Sequence, residues 1–340
     1  MKTGVMAGAG FFAQFHAEGW QRVDGARIVA IADPDLDKAR DFARRFQIPK
    51  VYSDTAGMLL AEKPDFLDIV TGPETHRALV EMAAARGVDV VCQKPMAPAW
   101  DDCLAMVTCC EAAAVRLLVH ENWRWQPWYR AVKRLIDAGA LGPVFHAGFR
   151  MRTGDGRGEE PYRVQPYFRR MPRLLIYETL VHFLDTFRFL AGEIDSLSCR
   201  TARVNPVIQG EDCALIELDF ASGAQGLIDA NRISGPVPPP PAFGELRVEG
   251  TLGMVRMTPE GRLFLTRYGE TEQEHEFESP QAGYRGDSVR AFQQHAADCL
   301  NTGARCESEG RDYLRTVAAV LACYESAETG RRVRIEEVLR

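Results

Sequence analysis

The stretch Gly4-Val5-Met6-Ala7-Gly8-Ala9-Gly10-Phe11-Phe12-Ala13 decides the reading of the fold. An amphipathic run follows it, and then Arg27-Ile28-Val29-Ala30-Ile31-Ala32-Asp33. Two apolar, strand-like runs bracket one helix-like run, which makes a βαβ unit. Gly8, Gly10 and Ala13 hold the three small positions of a G-x-G-x-x-A turn. Gly8 permits the tight turn, Gly10 lets the backbone approach a pyrophosphate, and Ala13 lets the helix lie close on the sheet. The turn, with Phe11 and Phe12, leads into a helix N-terminus, where unpaired N–H groups and the dipole favour an anion. Asp33 ends the second strand, 20 residues after Ala13. A carboxylate there can accept hydrogen bonds from ribose hydroxyls. Asp33-Pro34-Asp35 is also ordinary turn chemistry. The strand before, the helix after and the acid at this distance together favour a dinucleotide.

Outward from this unit, strands and helices alternate. A helix is expected from Leu36 to Phe46, a buried strand over Phe66–Thr71, and a helix from Thr75 to Arg86 closed by Gly87. Val88–Cys92 is a strand, Trp100–Ala113 a helix, and Val115–Val119 a strand again. This alternation predicts a doubly wound parallel sheet with ligands beyond its carboxyl ends. Thr71, Gln93-Lys94 and His120-Glu121-Asn122 all follow strand ends. After His120 the texture changes. Helices are expected over Trp128–Ala138 and Leu174–Leu190, with a strand over Pro143–Met151 between them. From Ile194 to Phe277 polar and apolar residues alternate, as in Ala214, Ile216, Leu218 and Phe220, which predicts a largely antiparallel open sheet with one covered face. Pro236–Pro241 reads as a polyproline-like loop. Two helices close the chain. The domain division expected is a dinucleotide-binding Rossmann domain over residues 1–121 and a substrate-binding and oligomerisation α/β domain over 122–340.

At 340 residues, with 46% hydrophobic and 26% charged residues, the chain has the composition of a globular protein of about two domains. A net charge of −6 gives no reason to expect nucleic acid or an anionic membrane as partner. No apolar run reaches the length of a membrane span. The nine cysteines include no C-x-x-C pair and mostly lie in apolar runs such as Val90-Val91-Cys92. Buried thiols in a reducing cytoplasm are the expectation, and no metal site is expected.

Five blocks give the chain a resemblance to the Gfo/Idh/MocA oxidoreductases over essentially its full length. They are Gly8 to Ala13; Thr71-Gly72-Pro73-Glu74-Thr75-His76; Cys92-Gln93-Lys94-Pro95; Asn122-Trp123-Arg124-Trp125-Gln126-Pro127; and Glu178-Thr179-Leu180-Val181-His182-Phe183-Leu184-Asp185. The resemblance implies hydride transfer between a nicotinamide cofactor and a hydroxyl or carbonyl carbon of a sugar, polyol or related hydroxy compound. It implies a homodimer or homotetramer formed through the C-terminal sheet. It differs from the family's usual pattern at two positions: Gln93 stands where Glu is usual, and Glu178 where Asp is usual. Two rival readings are a glycosidase-like enzyme that uses tightly bound NAD redox-neutrally, and a dinucleotide-binding sensor without chemistry.

Oxidising an alcohol removes a hydride and a proton, and histidine is the side chain whose ordinary pKa suits the proton. His182 is the candidate base. Lys94 can donate to the reacting oxygen and favour a developing alkoxide. On a regular helix Glu178, His182 and Asp185 share one face. Lys94, His182 and Glu178 are therefore the catalytic candidates. The same three with Asn122 and Arg124 are the substrate-binding candidates, although an arginine at a domain junction is equally a salt-bridge partner. On the cofactor side stand Gly8, Gly10, Phe11, Phe12, Ala13, Asp33, Thr71, Pro73, His76, Gln93 and Lys94, with His76 alternatively structural. The cofactor expected is NAD, with NADP as the alternative: Asp33, Asp35 and Asp37 repel a 2′-phosphate, whereas Lys38 or Arg40 could meet one. The Arg/Tyr-rich segment 162–173 reads either as a substrate grip or as a solvated or intersubunit loop.

Overall fold

Six parallel strands form the N-terminal sheet of the computed structural model, which describes residues 1–340. They are β1 (Lys2–Ala7), β2 (Ala26–Ala32), β3 (Lys50–Tyr52), β4 (Phe66–Ile69), β5 (Asp89–Gln93) and β6 (Leu117–His120). The helices between them are α1 (Ala13–Trp20), α2 (Leu36–Arg45), α3 (Thr55–Glu62), α4 (Pro73–Ala84) and α5 (Trp100–Ala112). The spatial order is β3-β2-β1-β4-β5-β6, so chain direction across the sheet reverses between β1 and β4. In doubly wound sheets the ligand crevice opens at that point. The strands are buried on both faces: Val5, Ile31, Leu67, Val90 and Leu118 are fully enclosed. That is why they read as continuous apolar runs rather than alternating ones. Ala13 and Ala17 let α1 settle against Met6, Ile31 and Val70. β3 and α3 were absent from the sequence reading, because a three-residue edge strand carries too little pattern. The start of α3 is nonetheless marked by Asp54, whose carboxylate accepts the Gly57 N–H at 2.7 Å.

The second sheet has nine strands. After α6 (Pro127–Asp137) comes β7 (Val144–Arg152), then α7 (Val181–Ala191), and then β8 (Ile194–Ala202), β9 (Cys213–Phe220), β10 (Gln225–Asn231), β11 (Gly244–Gly250), β12 (Gly253–Met257), β13 (Leu263–Arg267) and β14 (Gln273–His275). The chain closes with α8 (Ser288–Thr302), α9 (Gly310–Thr329), β15 (Val333–Arg334) and α10 (Ile335–Val338). The order is β14-β13-β12-β11-β7-β10-β9-β8-β15, antiparallel except where β10 runs parallel to β7. Period-two alternation turns Ala214, Ile216, Leu218 and Phe220 inward. On that face Phe149 of β7 packs on Phe183 of α7 at 4.2 Å between ring centres. The outward face mixes charged and apolar residues. Its neighbouring positions run Glu217, Leu227, Gly148, Arg247 and Leu215, Asp229, Arg150, Glu245. Leu215 and Leu227 are exposed there singly, among charges.

Two compact units result, Met1–Trp125 with Gln281–Leu314, and Gln126–Pro280 with Arg315–Arg340. The chain crosses between them four residues beyond the expected boundary. The segment Gln281–Leu314, read with the second domain, packs in the first. Long-range side-chain contacts decide this. Arg22 at the end of α1 forms a two-pronged pair with Asp287 at 2.5 and 2.8 Å, and Gln293 of α8 donates to the His16 carbonyl at 3.1 Å.

Candidate active site

In the first unit the glycine turn follows β1. Gly8 has φ +99°, and its N–H donates to the Ala32 carbonyl at 2.8 Å. A Cβ there would lie 2.5 Å from the Val70 carbonyl oxygen. Gly10 is different: a Cβ on it would meet no protein atom within 4 Å. The N-terminus of α1 has no side-chain cap; the Ala13 N–H donates to the Gly10 carbonyl at 3.2 Å and the Phe15 N–H to the Phe12 carbonyl at 3.1 Å. Phe12 packs edge-on against Tyr284, while Phe11 stays half exposed. Asp33 is nearly enclosed. Its Oδ2 accepts the Ala9 N–H at 2.9 Å and the Lys38 ammonium at 3.2 Å, and its Oδ1 accepts the Asp35 N–H at 3.0 Å. Burial pushes this carboxyl up, but the two N–H groups and Lys38 outweigh it and hold the group below its ordinary value.

Beyond β4 and β5 the strand ends carry Thr71 and Lys94. Thr71 pairs its hydroxyl with Thr75 at 2.6 Å, and Pro73 opens α4. His76 is fully enclosed, its ring nitrogens 3.0 Å from the Met96 carbonyl and 3.2 Å from the Thr71 carbonyl. It clips two loops together, the structural alternative of the sequence reading, and burial lowers its pKa despite those carbonyls. Gln93 is buried, and its Oε1 accepts the Lys94 N–H at 2.7 Å. Asn122 is also buried and donates to the Ser288 hydroxyl at 2.8 Å, while Arg124 donates to the Glu307 carbonyl at 3.3 Å. Both contacts lie within the first unit.

In the second unit the expected helix Leu174–Leu190 divides. Leu175–Leu180 is a π-helical turn and α7 begins at Val181. Wide turns of this kind recur at functional sites. The break has a cause in Glu211, whose buried carboxylate accepts the Leu174 N–H at 3.2 Å, the Ile176 N–H at 2.9 Å and the Tyr324 hydroxyl at 2.7 Å. One acid thus satisfies the amides that open the helix. Glu178 sits in the wide turn, its Oε2 accepting the Thr179 hydroxyl at 2.7 Å and lying 3.8 Å from Arg232 Nη1. His182, 7% exposed, follows in the first turn of α7. Asp185 is fully buried and accepts the Thr316 hydroxyl at 3.1 Å, which makes it an anchor for α9.

Arg232 organises this region. Its guanidinium grips Asp155, donates to Thr179 at 3.0 Å, and lies over the rings of Tyr162 and Phe168 at 4.7 and 5.1 Å. Burial alone would lower its pKa, but Asp155 and Glu178 raise it, so it stays charged. Tyr162 and Phe168 of segment 162–173 are thus a platform under Arg232. Tyr162, Phe168, Leu174 and Ile208 form a small core of their own.

Residues 2–121 match the family described as "Oxidoreductase family, NAD-binding Rossmann fold", and residues 129–256 match the GFO/IDH/MocA C-terminal domain. The chain belongs to the Gfo/Idh/MocA oxidoreductase family. It is 39% identical to a D-apiose dehydrogenase of Rhizobium rhizogenes over 99% of this chain and 98% of that one. A D-apiose dehydrogenase of Paraburkholderia graminis is 37% identical over 98% of this chain and 90% of its own length. An oxidoreductase from Agrobacterium radiobacter, crystallised with NAD+, L-tartaric acid and magnesium, superposes with a TM-score of 0.93 at 37% identity over 99% of both chains. The protein is accordingly an NAD-dependent oxidoreductase that transfers a hydride at a CH–OH carbon of a sugar, polyol or related compound.

The residues present fit the dinucleotide of this Gfo/Idh/MocA enzyme. Clear space over Gly10, the N-terminal end of α1 without a side-chain cap and an ionised Asp33 are what pyrophosphate and ribose need. The family motifs did not reveal Glu211, Arg232, Asp155, His16 or Asp68. Each lies far in sequence from the residue it holds, and only an acid or arginine among apolar neighbours could have flagged them. The fold also gathers donor atoms of His295, Cys299 and Cys306 within 4.8 Å of one another, which their spacing did not announce. The Glu307 N–H already donates to His295 Nε2 at 3.0 Å, and burial pushes the Cys306 thiol up to about 12. Those two facts favour a hydrogen-bonded thiol cluster.

Proposed function

We propose that the protein is a dehydrogenase for D-apiose or a closely related sugar, with Lys94, His182 and Glu178 as the residues of the reaction. The observation that carries the substrate is the 39% identity to a D-apiose dehydrogenase over nearly the whole of both chains. NAD supplies the hydride acceptor when bound. Lys94 donates a hydrogen bond to the reacting oxygen and favours its developing negative charge. His182 takes the hydroxyl proton at a ring nitrogen. Glu178, held by Thr179 and Arg232, accepts from a sugar hydroxyl and stabilises the imidazolium that forms. The space that Asp would leave at position 178 is bridged by one further methylene.

The test is NADH formation with D-apiose, other pentoses and inositols at equal concentration. D-apiose is expected to give the highest kcat/KM. An inositol turned over faster would move the enzyme to the polyol class, and turnover of sugar without net NADH would favour the redox-neutral reading. The same proposal takes the outward face of the nine-stranded sheet as the contact between subunits of a homodimer or homotetramer, and light scattering on the purified protein checks it. It takes the cytoplasm as the compartment, in keeping with nine free cysteines. No helix is long and apolar enough to cross a membrane.

A further inference from the structure

His16 lies on α1 with its ring fully enclosed. Its Nδ1 is 2.9 Å from Asp68 Oδ2 at β4, and its Nε2 is 3.0 Å from Gln93 Nε2 at the end of β5. Gln93 Oε1 lies 2.7 Å from the Lys94 backbone nitrogen. One end fixes the direction of every bond in this row. A backbone N–H can face only an acceptor, so Gln93 turns its carbonyl oxygen to Lys94. Its NH2 group then faces His16, so His16 Nε2 must carry the lone pair. The proton of the neutral ring therefore sits on Nδ1 and goes to Asp68. Asp68 Oδ2 also accepts the Trp20 indole N–H at 2.7 Å.

We infer that Asp68, His16 and Gln93 are a buried positioning relay for Lys94, and that Gln93 keeps this relay on a neutral imidazole. The inference rests on the proposed role of Lys94 as donor to the reacting oxygen. As positioning residues, the three act through the Lys94 turn, where Gln93 Oε1 holds the Lys94 N–H. A glutamate at position 93, usual in the family, would turn a carboxylate to Nε2. The ring would then have to hold a second proton between two carboxylates. Glutamine supplies the missing donor instead, so donor meets acceptor along the whole row without that charge. The groups facing the ring agree with neutrality on every side but one. The His120 ring stacks on it at 4.0 Å between centres, and Phe12 meets it edge-on at 5.7 Å. Asp68 is the one charge, and it needs only the Nδ1 proton.

Two measurements test this. The first is long-range proton–nitrogen NMR on histidine-labelled protein, with and without NAD, which needs no substrate. Wild-type His16 is expected with its proton on Nδ1 and the lone pair on Nε2, and Gln93→Glu as the doubly protonated ring. A wild-type ring protonated on Nε2, or on both nitrogens, overturns the relay. The second is kcat with D-apiose against pH, beside NAD affinity and Tm. Gln93→Leu removes both bonds and is expected to lower kcat about tenfold to a hundredfold through misplacement of Lys94. Gln93→Glu keeps an acceptor for the Lys94 N–H and is expected to restore most of that kcat. It also adds a loss of activity as pH rises and the ring gives up its second proton, which wild type lacks. His16→Leu with Gln93→Leu should be non-additive in kcat, because both break one row. Wild-type kcat in Gln93→Leu, or equal loss in Gln93→Leu and Gln93→Glu with the same pH profile, overturns the inference. Lys94→Ala separates the two readings. If it keeps full kcat, the assignment of Lys94 fails, whatever the NMR shows of the relay.

Discussion

The cradle for the dinucleotide and the region around Glu178 and His182 are built by opposite means. In the first unit the backbone does most of the work: a glycine turn, an uncapped helix start and strand ends of a parallel sheet, all within 33 residues of one another apart from Thr71 and Lys94. In the second unit side chains do it. Glu211 caps the helix opening, and Arg232 gathers Asp155, Thr179 and Glu178 from two separate stretches of chain. A backbone-built site depends on a few small residues at fixed spacing and tolerates change elsewhere. A site built from a buried ionic cluster depends on the whole cluster, because removing one member leaves another charge without a partner.

The largest expected effect breaks this contrast at the chemistry itself. His182→Ala should lower kcat by about 10² to 10⁴ while NAD affinity holds, since the dinucleotide cradle belongs to the first unit. Measuring kcat, NAD affinity and Tm on one sample checks it, and full activity with a lowered Tm would make the residue structural. Arg232→Met comes next. It strands Asp155 and frees Glu178, so stability should fall by about 3–5 kcal/mol in urea titration. Loss of kcat without loss of stability would mean that Arg232 serves the ligand more than the fold.

Gly8→Ala and Gly10→Ala sharpen the comparison from the other side. The first imposes φ +99° on a side chain and drives it into the Val70 carbonyl, which should cost about 1–3 kcal/mol and abolish NAD binding. The second adds a methyl where no protein atom lies within 4 Å, so Tm should hold while NAD affinity falls. Equal melting temperatures for the two variants would show that the turn is not strained by a side chain.

The smallest effect concerns cofactor choice. Asp33 should favour NAD over NADP by at least about tenfold after salt screening. Lys38, 3.2 Å from it, offsets part of the repulsion, so Lys38→Ala should widen the preference, which titration with both dinucleotides reads. The lowered carboxyl of Asp33 also has a pH signature. A carboxyl depressed in the folded state stabilises it above the unfolded value, and that contribution disappears as pH falls through the lowered value. Asp33→Asn should therefore flatten the acid side of the Tm profile.

Periodicity and motif spacing determined the parallel sheet with its glycine turn, the antiparallel sheet with its inward Ala214, Ile216, Leu218 and Phe220, and the family. These features are local: a strand that is buried on both faces, or on one, must show it in consecutive residues. Tertiary structure alone decided that Gln281–Leu314 returns to the first unit, because Asp287 and Gln293 find their partners more than 260 residues away. It alone decided that Leu174–Leu190 opens with a wide turn, since the cause is the carboxylate of Glu211, 35 residues on from Ile176. It also decided that Asn122 pairs with Ser288 and Asp185 with Thr316. A buried polar group has to find a partner wherever the chain brings one, and no spacing in the sequence announces which partner that will be.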